Sequence, residues 1–135
     1  MSTKIFVNLA VKDLPRSMEF FKALGFGFNP QFTNDAAACL VISDDIYAML
    51  ITHPMFKDFT PTKAICDSTT TTEVLLALTC ESRAKVDEMV SKALGAGGTA
   101  HGTPKDHGFM YQHGFQDPDG HIWEPFYMDP DAIQK

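Results

Sequence analysis

The sequence has few basic residues and no long apolar run. Its 135 residues contain 11 lysines and arginines, scattered along the chain, against 17 aspartates and glutamates, so the net charge is −6. Nucleic-acid-binding proteins need clustered basic side chains to neutralise phosphates, and we therefore expect no nucleic-acid partner. No segment approaches the roughly 20 apolar residues that cross a bilayer, so we expect no membrane partner.

Cysteine is also scarce. Cys39, Cys66 and Cys80 are widely spaced and form no Cys-x-x-Cys pair, which argues against a disulfide framework and a structural zinc site. The first four residues lead directly into a strand-like segment, without the apolar stretch of a signal peptide. The absence of a glycine-rich phosphate loop and of a Gly-x-Ser-x-Gly turn argues against nucleotide binding and nucleophilic hydrolysis. These features predict a cytoplasmic protein.

What the sequence does contain is a repeated pattern. Residues 5–11 alternate as a strand, Asp13 can cap a helix, and Gly25 can end it. The pattern returns with a strand over residues 74–80, Ser82 as the cap and Gly95 as the end. Both helices finish on Lys-Ala-Leu-Gly, at residues 22–25 and 92–95. We infer an internal repeat with a period near seventy residues.

Further strands follow each helix. Alternating segments separated by turn residues predict strands over residues 27–32, 37–42, 47–52, 98–101, 109–115 and 121–128. The chain is therefore predicted to be α+β, with a βαβββ module over residues 1–52, a joint over 53–72, a second module over 73–128 and a tail over 129–135. A glycine- and proline-rich loop is expected over residues 102–108.

The last predicted strand opens on Asp-Pro-Asp-Gly-His-Ile-Trp-Glu, residues 117–124, and the first helix opens on Val-Lys-Asp-Leu-x-Arg-Ser, residues 11–17. Together with the two modules, these motifs resemble the vicinal oxygen chelate superfamily, which includes glyoxalases, bleomycin-binding proteins and extradiol dioxygenases. The resemblance implies that the strands curl into a cup-like mixed sheet with the helices on the convex side. It also implies a homodimer, and a ligand on the concave face, with a divalent metal in the enzymes.

Strand alternation predicts which side chains face the cup. In the first strand these are Phe6, Asn8 and Ala10; in the fifth they include Leu75, and in the last they include Glu124 and Phe126. The resemblance places metal ligands on the first, fourth, fifth and eighth strands. In this chain those positions fall on Phe6, on Leu50 (or on Met49 if the register slips by one), on Leu75 and on Glu124.

Of the residues at these positions, only Glu124 carries a carboxylate that can coordinate a metal, so the usual metal site is expected to be lost. A rearranged site could recruit histidines from the group His101, His107, His113 and His121, although each is better explained as an exposed or structural histidine. His121 differs in parity from Glu124, while His113 lies on a neighbouring strand and could reach the cup. Glu124 could also act as a general base.

These observations predict a protein that binds a small, partly aromatic ligand without a cofactor. The predicted contacts are Phe6, Asn8, Leu50, Leu75, His113, Glu124 and Phe126. The alternative is a metal-dependent glyoxalase-like lyase or isomerase, or a ring-cleaving dioxygenase, that uses Zn, Ni, Mn or Fe at a rearranged site. A third hypothesis is a dimeric interaction module with a filled cup.

Overall fold

The computed structural model describes residues 2–132, and the chain separates into two compact units, Met1–Asp67 and Ser68–Lys135. The first unit contains β1 (Ile5–Val11), α1 (Leu14–Ala23), β2 (Gly27–Asn29), β3 (Ala37–Val41), β4 (Ile46–Thr52) and α2 (His53–Phe59). The second contains β5 (Leu75–Thr79), α3 (Arg83–Gly95), β6 (Thr99–Asp106), β7 (Met110–Gln116) and β8 (Ile122–Met128). Short 3₁₀ turns cover Pro30–Phe32 and Pro130–Ala132.

Each unit is built on one open, four-stranded mixed sheet. The strand order is β1-β4-β3-β2 in the first unit and β5-β8-β7-β6 in the second. In both, the strand before the helix pairs in parallel with the last strand, and the other pairs are antiparallel. This equivalence confirms the predicted α+β class and the two βαβββ modules.

The core of each unit lies between its sheet and its helix. In the first unit the fully buried side chains include Phe20 and Phe21 of α1 together with Leu9 and Leu50 of the sheet. In the second unit Val86 and Val90 of α3 are buried, as are Phe115 and Trp123, whose rings stack with centroids 6.5 Å apart. Burial of these large apolar side chains supplies most of the stabilising free energy.

The helix starts follow the sequence closely. The Asp13 side chain accepts a hydrogen bond from the Arg16 N–H, and Ser82 accepts one from the Lys85 N–H. The ends differ between the copies. α1 stops before Gly25, which adopts φ +99°, whereas α3 continues through Gly95 and the left-handed position passes to Gly97, with φ +106°. α3 therefore ends at Gly95 as predicted, but the left-handed glycine that follows it is Gly97 and not Gly95 itself.

Two strands differ from prediction. β2 ends at Asn29, where the side chain caps a 3₁₀ turn, so residues 30–32 are not extended. β6 runs to Asp106, through much of the predicted loop over residues 102–108. Pairing with β7 overrides the loop-forming composition of that segment. The predicted tail lies partly in the last 3₁₀ turn, and residues 133–135 fall outside the described residues.

Within residues 2–132 no helix has the length and apolar character needed to span a membrane.

Candidate functional site

α3 covers only one face of the second sheet. Tyr111 and Phe115 of β7 lie on the covered face, where the Tyr111 hydroxyl donates a 2.5 Å hydrogen bond to Asp87 of α3. The opposite face, here called the helix-free face, therefore takes the alternate residues of each strand. Its members are Leu75, Ala77 and Thr79 of β5, Gln112 and Gly114 of β7, and Ile122, Glu124 and Phe126 of β8.

A small cavity of about 70 Å³ lies beside Glu124. It is formed by β6, β7 and β8, and its lining residues are His101, Gly102, Thr103, Lys105, Gln112, His113, Gly114 and Glu124. The register of β7 and β8 pairs Gln112 with Phe126 and Phe115 with Trp123, which sets Gly114 opposite Glu124. The cavity therefore contains the carboxylate that the sequence identifies as the main candidate.

The missing side chain of Gly114 leaves room for His101. His101 pairs with Gly114 across β6 and β7, and a Cβ atom at position 114 would lie 3.3 Å from the His101 Cδ2 atom. The imidazole thus lies over the glycine, on the same face as Glu124. A side chain at position 114 would push the His101 imidazole away from this position.

A bulge in β6 brings Lys105 to the same face. His101 pairs with Gly114 and Lys105 pairs with Gln112, so three residues of β6, 102–104, stand opposite the single residue His113. Extra residues of this kind redirect side chains and are common beside functional sites. As a result β6 presents both of its basic cavity residues on the helix-free face.

The polar groups of the cavity are not neutralised by one another. Among the residues that the structure describes, no hydrogen bond or ion pair is formed by the side chains of Glu124, Lys105, Gln112 or His101. Glu124 is partly exposed. A carboxylate with unused acceptor capacity, next to donors that are also unused, can bind a polar group of a ligand.

His113 is placed differently from Glu124. It alternates with Gln112 and Gly114 and lies between Tyr111 and Phe115, so its side chain is on the face covered by α3. Strand alternation turns the imidazole toward the face of Tyr111 and Phe115, although His113 is among the residues that line the cavity, so its contact with a ligand stays a prediction.

The Asp-Pro-Asp-Gly turn has a structural role next to the site. Asp117 is 5% exposed, and its Oδ1 atom accepts hydrogen bonds from the Asp119 and His121 N–H groups. Its Oδ2 atom accepts a 3.0 Å bond from the Trp123 indole N–H. Burial raises the pKa of Asp117 above its usual value, against the influence of these donors and of His121. The carboxylate thereby fixes the entry into β8.

One arginine holds the tip of the β6–β7 hairpin to α3. Arg83 forms a 2.8 Å ion pair with Asp106 and donates a 2.9 Å hydrogen bond to the Gly108 carbonyl. Its guanidinium carbon lies 5.4 Å from the centre of the Tyr111 ring. The hairpin that carries His101, Lys105 and Gln112 is thus anchored from the covered face.

The first sheet carries the remaining predicted positions. Phe6 is 45% exposed and stacks on Tyr47, with ring centroids 4.6 Å apart. Asn8 is exposed and pairs with Met49, whereas Leu50 pairs with Leu9. Leu50 is therefore on the other face and is completely buried, which corrects its predicted place on the ligand face. Met49 is the β4 residue that shares the face of Phe6 and Asn8.

These positions do not fit a metal of the kind that the resemblance implies. The side chains there are those of Phe6, Met49, Leu75 and Glu124, which offer one carboxylate, one soft thioether and two hydrocarbon groups. Hard and borderline divalent ions need several oxygen or nitrogen donors. Within the described part of the chain, no group of three or more His, Cys, Asp or Glu residues is placed to hold a metal ion.

Sequence reasoning missed the roles of Lys105, Gln112 and Gly114, and it named His101 only as one of four histidines that a rearranged metal site could recruit. The signal that finds them is the pairing of β6 with β7, which depends on the bulge. Counting forward from the turn near Gly108 places Gln112 and Gly114 on one face of the strand. The partners on β6 cannot be counted, because a bulge leaves no clear mark in sequence.

Comparisons with known proteins agree with this architecture. The profile of the Glyoxalase/Bleomycin resistance protein/Dioxygenase superfamily matches residues 5–124. A hypothetical protein from S. aureus is 29% identical, with a TM-score of 0.77 over 94% of this chain and 95% of that one. A glyoxalase/bleomycin resistance protein/dioxygenase family enzyme from Burkholderia phytofirmans is 17% identical, with a TM-score of 0.79 over 94% and 99%.

A bleomycin resistance determinant encoded on the transposon Tn5 is also 17% identical, with a TM-score of 0.63 over 94% of this chain and 98% of that one. No curated protein sequence matches the chain. The structural likenesses at 17% identity support the fold, and the profile covers nearly the whole chain. The chain therefore belongs to the Glyoxalase/Bleomycin resistance protein/Dioxygenase superfamily.

Proposed function

We propose that the chain binds a small, partly aromatic organic molecule on the helix-free face of its second sheet, without the metal that related enzymes use. The observation that carries the proposal is the Glu124 carboxylate, which lines a cavity and has no partner among the described residues. A carboxylate without a protein partner contributes little to the stability of the fold and is available to bind a ligand.

Apolar surface adjoins the carboxylate and suits the rest of such a ligand. Leu75 is 54% exposed, and Phe126 is partly exposed two residues along β8 from Glu124. Small-molecule sites combine apolar contact of this kind with a few polar groups that fix orientation.

Binding is best measured by isothermal titration calorimetry. Trp123 is a poor reporter, because it is 1% exposed and stacks on Phe115 at the α3 face. The protein is treated with EDTA, dialysed into metal-free buffer and titrated with bleomycin, benzamidine, benzoate and cyclohexanecarboxylate. We expect saturable one-to-one binding of at least one of the three aromatic compounds, with benzoate binding more tightly than its non-aromatic counterpart.

The variant Glu124→Gln tests the carboxylate. It should weaken the binding of the cation benzamidine by at least about tenfold, because a neutral amide keeps the shape and loses the charge. Glu19→Gln is the matched control, since the Glu19 side chain lies on α1 and is 79% exposed. The proposal would be contradicted if no compound of the panel binds, or if binding is observed only after Zn or Ni is added.

A second candidate function is a metal-dependent lyase or dioxygenase with a rearranged site. The observation in its favour is that His101 and Glu124 line one cavity together with the Gln112 amide. The candidate predicts stoichiometric Zn, Ni, Mn or Fe in protein purified without chelators, and loss of that metal in both His101→Ala and Glu124→Gln. Elemental analysis that finds no metal before or after reconstitution would exclude it.

A further inference from the structure

The cavity on the helix-free face holds opposite charges on opposite sides. Lys105 lines it from β6 and Glu124 lines it from β8, with β7 between them. Neighbouring strands are about 4.8 Å apart, so β6 and β8 are separated by roughly 10 Å. Lys105 is also displaced along the sheet, because it pairs with Gln112 whereas Glu124 lies opposite Gly114. Within the described residues Lys105 and Glu124 form no ion pair. The charges are thus spaced to be bridged by something between them.

The middle of the cavity is shaped for a small polar group. Gly114, which has no side chain, forms a floor between His101 of β6 and Glu124 of β8, and the His101 imidazole lies over it. Gln112 flanks this floor on β7 and can donate or accept a hydrogen bond. A volume of about 70 Å³ accommodates the head of a small molecule and not an entire aromatic compound.

Apolar residues continue from the cavity along the same face. Phe126 pairs with Gln112 across β7 and β8, and Ala77 pairs with Glu124 across β5 and β8. A molecule with its polar head in the cavity can therefore extend a hydrocarbon or aromatic part over Phe126. The face offers a charged end and an apolar end to one ligand.

We propose that this cavity binds a dipolar head group, with the ammonium of the ligand on Glu124 and its carboxylate on Lys105 and the Gln112 amide. The ligand class is an apolar or aromatic zwitterion of the α-amino-acid type. This assignment rests on the proposed ligand-binding function and specifies its chemistry. Each charge of such a ligand gains a charge-assisted hydrogen bond, which is stronger than a neutral one.

A ligand of single charge fits less well. A carboxylate alone could pair with Lys105 but would leave Glu124 without a partner and close to a like charge. An ammonium alone would have the same difficulty with Lys105. The penalty for a desolvated, unpaired polar group makes such half-matched ligands bind more weakly than the dipolar one.

Three probes of similar shape separate these cases at pH 7. L-Phenylalanine carries both charges, phenethylamine carries only the ammonium, and 3-phenylpropanoate carries only the carboxylate. Isothermal titration calorimetry on the full, metal-free chain should show that L-phenylalanine binds at least about tenfold more tightly than either of the others.

Two variants assign the charges to their ends. Glu124→Gln should weaken L-phenylalanine and phenethylamine by about tenfold or more and leave 3-phenylpropanoate unchanged or tighter. Lys105→Gln should weaken L-phenylalanine and 3-phenylpropanoate and spare phenethylamine. The controls Glu19→Gln and Lys63→Gln, at positions outside the cavity lining, should change none of the three affinities.

The possible outcomes distinguish a failure of the dipolar assignment from a failure of the proposed ligand-binding function. If the three probes bind equally, or if the two variants affect them without regard to charge, the dipolar assignment is wrong and aromatic ligand binding stands. If none of the three probes binds while benzamidine or benzoate does, the assignment again fails alone. If no compound of either panel binds, both proposals fail.

Discussion

Gly114 lines the cavity next to His101 and opposite Glu124. Its neighbours across β6 and β7 are the backbone oxygen and the side chain of His101, at 3.2 and 3.3 Å from the place where a Cβ atom would stand. These separations are shorter than ordinary van der Waals contact between such atoms, and the near neighbour includes rigid backbone. A Cβ atom at this position would require the neighbouring His101 atoms to shift by a few tenths of an ångström.

We expect Gly114→Ala to lower the free energy of unfolding by about 1 kcal/mol or more, because overpacking costs about 1–3 kcal/mol. It should also displace His101 and weaken any ligand of the cavity. Urea unfolding measures the first effect and calorimetry the second. Gly27→Ala is the control, since a Cβ there meets nothing within 4 Å. Equal unfolding free energies in the two variants would contradict the prediction.

Asp117 is the other residue on which local structure depends. Its two carboxylate oxygens receive three N–H donors, one of them the indole of Trp123. In Asp117→Asn the amide keeps one oxygen for the two backbone donors and turns an NH₂ group toward the indole N–H. An unsatisfied buried donor costs about 1–3 kcal/mol, so we expect a loss of that size at pH 7 in urea unfolding.

The stabilising effect of Asp117 should also depend on pH. Burial raises the pKa of this carboxyl in the folded chain, whereas in the unfolded chain it is about 3.9. Between the two values the folded state binds more protons, so the free energy of unfolding falls as pH rises through this range. The difference between the native protein and Asp117→Asn should therefore shrink from pH 4 to pH 7. A difference that grows with pH would contradict the sign.

At the scale of elements, the β6–β7 hairpin carries most of the candidate site. The side chains that the hairpin contributes to the cavity lie on the helix-free face. On the other face, Arg83 of α3 contacts Asp106 and Tyr111 of the hairpin and anchors it. The hydrogen bond of the Tyr111 hydroxyl to Asp87 raises the pKa of that tyrosine. The position of the hairpin therefore depends on residues of the covered face, which lie outside the cavity.

We expect Arg83→Gln to cost at most about 1 kcal/mol in unfolding free energy, since the Arg83 side chain is 41% exposed and exposed ion pairs contribute little. Its larger effect should be faster amide hydrogen exchange along residues 105–111, because the hairpin tip loses its anchor. Arg16→Gln is the control, as that guanidinium forms no interaction among the described residues. Unchanged exchange in Arg83→Gln would contradict the anchoring role.

At the scale of the whole molecule, the two copies of the repeat explain what the sequence could predict. The bounds of β1 and the caps at Asp13 and Ser82 follow from local patterns, which need no knowledge of strand pairing. The face of Leu50 and the extent of β6 depend on register and on a bulge, which are set by contacts between distant residues. The fold class was therefore predictable from the sequence, whereas the cavity residues Lys105, Gln112 and Gly114 were not.

The repeated Lys-Ala-Leu-Gly segment leads to a prediction with opposite signs in the two copies. Gly25→Ala should destabilise the fold by about 1–2 kcal/mol, because φ at this glycine is +99° and an L side chain is strained there. Gly95→Ala should stabilise it by about 0.5–1 kcal/mol, because this glycine is helical and a Cβ meets nothing within 4 Å. Thermal unfolding of both variants provides the comparison, and changes of the same sign would contradict it.

Gly120 has a consequence for where the chain can be divided. It adopts φ +87°, and a Cβ atom there would lie 2.8 Å from the carbonyl carbon of Ser68 and 3.0 Å from the Cα atom of Thr69. The Ser68 hydroxyl also donates a 2.6 Å hydrogen bond to the Asp119 carbonyl. Residues 68–69 thus belong with the turn that opens β8. A circular permutation or a split protein that separates the two modules should cut before Ser68, because a cut after Thr69 would leave this turn without the backbone that packs on it.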